Sequence, residues 1–181
     1  MIAHLRPEES LLLVVDVQQR LVPAMFEAER VVRNVSILAQ TARLLEIPVI
    51  VTEQNPAKLG KTVAQLNEAL GEFHATAKML FSACTAETLD AIRKTGRNSV
   101  VLCGLETHVC ILQSALDLLE NQFQVFLPNN AVSSRYESDK SAAISRLHSS
   151  GAISCSTEML VLEWLRDAKH PHFKSVLSLI K

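Results

Sequence analysis

Three side chains in this sequence, a thiol, a carboxylate and an amine, stand where their surroundings give them chemistry to do. Cys110 falls in the first two turns of a helical pattern starting at Thr107, where free amides and the positive end of a helix dipole favour a thiolate. Asp16 closes an uninterrupted apolar run over residues 11–15, so its carboxylate must be hydrogen-bonded or paired once that run is buried. Lys78 lies in the alternating stretch 74–80. A cysteine needs its proton removed before it attacks, a carboxylate can accept that proton, and a lysine can hold both groups and stabilise developing negative charge. Each residue also has a plainer explanation: Cys110 as a small core hydrophobe, Lys78 as a solvated cation, Asp16 as a strand-end cap.

Residues so distant in sequence meet only if strand ends converge, and the hydrophobic pattern supplies such a frame. Continuous apolar runs at 10–16, 48–52, 99–103 and 123–127 suit strands buried on both faces, and shorter ones fall at 74–80 and 152–155. Between them, helical periodicity runs over 29–45, 86–94, 107–120 and 139–149, with a short helix near 62–70 and closing helices at 157–168 and 173–180. Thr85 caps one helix, and Gly104 is expected to make a tight turn before the Cys110 helix. This alternation predicts an α/β three-layer sandwich: a six-stranded parallel sheet with helices on both faces, in a single domain over 1–181. Such sheets bind ligands at the carboxyl ends of their strands, where both Asp16 and the Gly104 to Cys110 segment fall.

Composition removes several classes of function. Eighteen Lys plus Arg against nineteen Asp plus Glu leave a net charge of -1, without the basic surplus of nucleic-acid binders. The apolar run before Asp16 is too short for a membrane span or a signal segment, which points to a cytoplasmic protein without membrane association. The four cysteines, Cys84, Cys103, Cys110 and Cys155, lack the close spacing of zinc or disulfide frameworks and are expected to be reduced thiols. Of these, Cys110 is expected to be the most reactive. His170 and His172 flank a proline without nearby further ligands, so no metal site is expected there.

Four segments carry a family resemblance: Leu-Val-Val-Asp-Val-Gln at 13–18, Thr-Glu-Gln-Asn-Pro at 52–56, Lys-Met-Leu-Phe-Ser-Ala at 78–83 and Cys-Gly-Leu-Glu-Thr-His-Val-Cys at 103–110. Their order resembles that of the isochorismatase-like cysteine hydrolases, from the first strand to about Glu158, and is most similar to the isochorismatase domain-containing branch. The resemblance implies a catalytic triad of Asp16, Lys78 and Cys110. It also implies a cis peptide between Leu105 and Glu106, an oxyanion hole from the backbone amides of Glu106 and Cys110, and packing into a homo-oligomer. Gln18, Leu21, Glu53, Phe81 and Leu105 become candidates for the substrate pocket, with His108 near it. Two departures narrow the expectation. The metal-binding histidines that nicotinamidases of the superfamily carry after their second strand are missing between Thr52 and His74, so no cofactor is expected. Enterobactin-type isochorismatases lack a cysteine nucleophile, so Cys110 points to hydrolysis of a small amide or ester. The alternatives are a non-catalytic binding or scaffold protein on the same fold, and a nucleotide module, which the glycine-poor turn at 104–107 disfavours.

Overall fold

A computed structural model describes residues 4–181. Strand β1 (Ser10–Val15) is buried at every position, as a strand with neighbours on both edges and helices on both faces must be. Helix α1 (Ala28–Leu44) buries Val31, Val35, Leu38, Ala39 and Ala42, and Pro48 separates it from β2 (Val49–Gln54). Two one-turn helices, α2 (Pro56–Leu59) and α3 (Asn67–Leu70), precede β3 (Ala75–Lys78). Helix α4 (Ala86–Lys94) is capped by the Thr85 hydroxyl, which accepts from the Thr88 amide at 3.2 Å. Strand β4 (Ser99–Leu105) feeds a π-type turn (Thr107–Ile111) that runs into α5 (Leu112–Glu120). The chain closes with β5 (Gln124–Pro128), the two-residue β6 (Val132–Ser133), α6 (Glu137–Ser149), β7 (Ile153–Cys155), α7 (Thr157–Leu165) and α8 (Phe173–Ile180).

Every strand pair is parallel, in the order β3-β2-β1-β4-β5-β7. Strand β5 pairs with β4 through Val101, and β6 takes over beside Gly104 and Leu105, extending the six-stranded path. Alternate strand residues feed two cores. Leu12 and Val14 pack with Leu38, Leu160 and Trp164 on one face, while Leu11, Leu13 and Val15 pack with Ile92, Leu118 and Leu147 on the other. The chain order reverses at β1, whose neighbours are β2 and β4, so the crevice for ligands in such a sheet opens beyond Val15. Among the described residues no helix is long and apolar enough to cross a membrane.

The expected strands and helices are present, with shifted ends. Gly104 is the main correction: it makes no turn but continues β4, paired with Val15 at φ +118. An added Cβ there would sit 2.0 Å from the Val15 carbonyl oxygen, so only glycine lets the two strands lie this close. The expected helix over 157–168 stops at Leu165, where Arg166 takes a left-handed conformation, φ 62.

Candidate active site

Asp16 is the first residue beyond β1 and adopts φ +54, which turns the chain away from the sheet. The register that pairs Val15 with Thr52 sets the Thr52 hydroxyl beside it, donating to Asp16 Oδ1 at 2.9 Å. Lys78 ends β3, two strands from β1, and its long side chain reaches across the end of β2 to place Nζ 2.6 Å from Asp16 Oδ2. Both side chains are fully buried. The ammonium also donates to Gln54 Oε1 (2.9 Å), Phe81 O (2.9 Å) and Leu80 O (3.2 Å), so it is held in a cage of oxygens rather than in solvent.

Cys110 arrives from the opposite side of β1, on the turn after β4, and is 6% exposed. The Leu105–Glu106 peptide is cis. The Asp16 carboxylate and the Glu106 backbone both act on the Cys110 thiol, the first raising its pKa and the second lowering it. The thiol pKa is pushed up to about 12, chiefly by burial and then by the negative charge of Asp16, which together outweigh the pull of Lys78. This corrects the expectation that the helix start and the lysine stabilise a thiolate: a buried sulfur facing a carboxylate keeps its proton. Burial likewise raises Asp16 above its ordinary value, against the opposing effect of Lys78, which makes it a stronger base than a surface carboxylate. Cys84 is less buried and pushed up only to about 11, so a small generic alkylating reagent has no resting-state reason to choose Cys110 first.

Sequence reasoning passed over Thr52 and Gln54. Their signal was the strand period of two, which puts both on one face of β2 and Glu53 on the other. Glu53 Oε1 instead accepts from the Thr62 amide (2.7 Å) and hydroxyl (2.8 Å), pinning the loop after α2. Gln18 is fully buried, with Nε2 donating to Gln54 O and Gly60 O and Oε1 accepting from the Gln54 amide. These two braces hold the β2 end in place and spend their polar atoms on backbone. Leu105 belongs to the core, Leu21 is half-buried against it, and Phe81 is 55% exposed. His108 Nδ1 lies 2.9 Å from Ser134 Oγ, and the Glu106 carboxylate accepts from Arg135 Nε at 3.0 Å. Two cavities of about 420 Å³ each lie against α1 and α8, away from the thiol.

The Isochorismatase domain family model matches residues 10–159, a stretch that contains all three buried polar groups and the strands that carry them. The chain belongs to the isochorismatase family. Isochorismatase domain-containing protein 2 of Danio rerio is 39% identical over 180 residues, covering 99% of this chain and 90% of its own. A structure described as the MAR1 ribonuclease from Caenorhabditis elegans has a TM-score of 0.94 at 37% identity, over 98% of this chain and 92% of that one. The YcaC gene product from Escherichia coli, described as an octameric hydrolase of unknown specificity, shares the fold with a TM-score of 0.92 at 24% identity, over 99% and 90% of the two chains. In the isochorismatase-like fold of this chain, Asp16, Lys78 and Cys110 meet at the switch point of the sheet, each delivered by the carboxyl end of a different strand.

Proposed function

We propose that this chain, acting as one domain, is a cysteine hydrolase of a small amide or ester, and the observation that carries this is a buried Cys110 thiol under the influence of a carboxylate that Lys78 holds. Asp16 accepts the thiol proton as the sulfur attacks the substrate carbonyl carbon, forming the C–S bond. The amides of Glu106 and Cys110 receive the oxyanion. Collapse of the tetrahedral intermediate expels the amine or alcohol, which takes the proton from Asp16 and leaves a thioester on Cys110. Water, giving a proton to Asp16, attacks the thioester; the acid departs and the thiol is restored. Lys78 keeps the carboxylate oriented throughout. The family name does not name the substrate.

A screen of small amides and esters with intact-mass detection tests this. The expected result is turnover with a transient acyl mass mapped to Cys110. Turnover with no adduct under rapid quench excludes the covalent route, and neither adduct nor turnover across the screen favours a binding or scaffold role. The solved relative described as a ribonuclease raises RNA as a substrate for that protein, but a net charge of -1 gives this chain little attraction for a phosphate backbone.

Self-association is part of the same proposal. Met79, Leu80 and Phe81 are 72%, 63% and 55% exposed in succession, an apolar projection beside the site, and mean hydropathy is +0.18. Light scattering at micromolar concentration should give a multiple of 20.0 kDa; a mass of 20.0 kDa alone would remove the proposal. The unpaired thiols fit a reducing compartment, and we place the protein in the cytoplasm.

A further inference from the structure

Lys78 and Cys110 are brought to the site by strands that do not touch. In the order β3-β2-β1-β4 they stand three steps apart, about 14 Å at the usual inter-strand spacing. Pairing within the sheet therefore fixes the ends of β3 and β4 but leaves open how the segment after Lys78 sits against the turn that carries the thiol. That segment has little help from the core before Ala83, because Met79, Leu80 and Phe81 all project outward. It is held by its polar backbone: Met79 O accepts from Gln54 Nε2, while Leu80 O and Phe81 O accept from Lys78 itself.

One side chain ties this segment to the nucleophile turn. Ser114, in the first turn of α5, is fully buried, and its hydroxyl donates to the Cys110 carbonyl at 2.5 Å while accepting from the Ala83 amide at 2.7 Å. The Cys84 thiol adds a weaker bond to the Ser114 carbonyl at 3.5 Å. A helical serine bonding back to the carbonyl four residues earlier is commonplace. The second bond is not: it comes from a buried amide 31 residues away, on the segment whose carbonyls hold the lysine. With alanine at 114 that amide would lose its partner, and only the weaker Cys84 thiol bond to the residue-114 carbonyl would span the gap.

We infer that Ser114 is a positioning residue, which locks the lysine segment to the Cys110 turn and so couples Lys78 to the thiol. This rests on Cys110 being the reactive group, and the test reads the coupling without needing a substrate. The rate of Cys110 alkylation by iodoacetamide at fixed pH, read by peptide mass mapping, is measured in wild type, Ser114→Ala, Lys78→Gln and the double variant, a double-mutant cycle. Lys78→Gln should slow Cys110 labelling about tenfold in the wild-type background, since the cation favours the thiolate. In the Ser114→Ala background the same change should alter it by less than about twofold. An equal factor in both backgrounds overturns the inference. Should Lys78→Gln fail to fold, amide exchange of Ser114→Ala alone decides. Peptides spanning 79–84 and 106–111 should both exchange at least about tenfold faster than in wild type while β1 stays protected, and acceleration confined to one of them, or absent, overturns it. Loss of the acyl adduct with the coupling intact would instead count against the proposed hydrolase and leave Ser114 in its role.

Discussion

Cys110→Ala should abolish turnover of every amide or ester the wild type hydrolyses, lowering kcat/KM by more than about 10³-fold and removing the covalent mass. The fold should survive. The side chain lost is small, and Asp16 retains the Thr52 hydroxyl and the Lys78 ammonium, so no buried charge is left unpaired. A cost near 1 kcal/mol, a melting shift of about 2–4 °C, is expected. The pH profile then distinguishes how the wild-type thiol is activated. Because burial and Asp16 push the thiol up to about 12, the rate should follow ionisation of Asp16 and not that of the thiol. Lowering the pH protonates Asp16, removes the proton acceptor and cuts the rate about tenfold per unit below its pKa, which burial lifts above 3.8. Asp16→Asn should lose about 10²-fold or more at all pH values. A rate that climbs tenfold per unit from neutrality towards alkaline pH would instead mean that a resting thiolate attacks, and full activity in Cys110→Ala would remove the nucleophile assignment altogether.

The frame of the site was legible in the sequence because burial on both faces leaves an unmistakable mark. Residues 11–15 and 100–103 have no polar position to spare, and strands of this kind suit a parallel sheet covered by helices on both faces. Strand β6 escaped notice because two residues, Val132 and Ser133, cannot display a period, and its place beside β4 exists only once β5 has diverged. The residues around the candidate site divide along a similar line. Asp16, Lys78 and Cys110 announce themselves by chemistry, whereas Thr52, Gln54 and Ser114 do their work through partners that sequence does not place near them. Glu53 drew attention as the charged member of its segment, yet the face of the strand decided the matter and turned it to Thr62. The thiol pKa was misjudged for a physical reason as well. Helix position and the lysine are visible in the sequence, but burial and the proximity of Asp16 are properties of the folded site, and they dominate.

Gly104→Ala should destabilise the protein by about 4 kcal/mol, lowering the melting temperature by about 8–16 °C, and should impair the site in whatever fraction still folds. Two effects that are separable elsewhere in the chain combine at this position. At φ +118 any side chain is strained, and in addition the new Cβ would meet Val15 O at 2.0 Å and Val15 C and N at 2.9 Å, all backbone atoms of the central strand. Neither partner can yield cheaply: Val15 is paired on its other side with Thr52, and every residue of β1 is buried. Relief requires β1 and β4 to part at their carboxyl ends, where Asp16 follows Val15 directly and Cys110 stands six residues beyond Gly104, so the distance between base and nucleophile absorbs the shift. Gly96→Ala is the control. Gly96 also has positive φ, +69, but its added Cβ meets nothing within 4 Å, so only the conformational cost of about 1 kcal/mol applies and the site lies elsewhere. Parallel thermal melts of the two variants, with acyl-adduct formation measured on the folded fraction of each, should show a large loss on both counts for Gly104→Ala and a small stability loss alone for Gly96→Ala. Equal melting temperatures would mean that the close approach of Val15 and Gly104 is not what holds the two strand ends, and with them the thiol and carboxylate, in register.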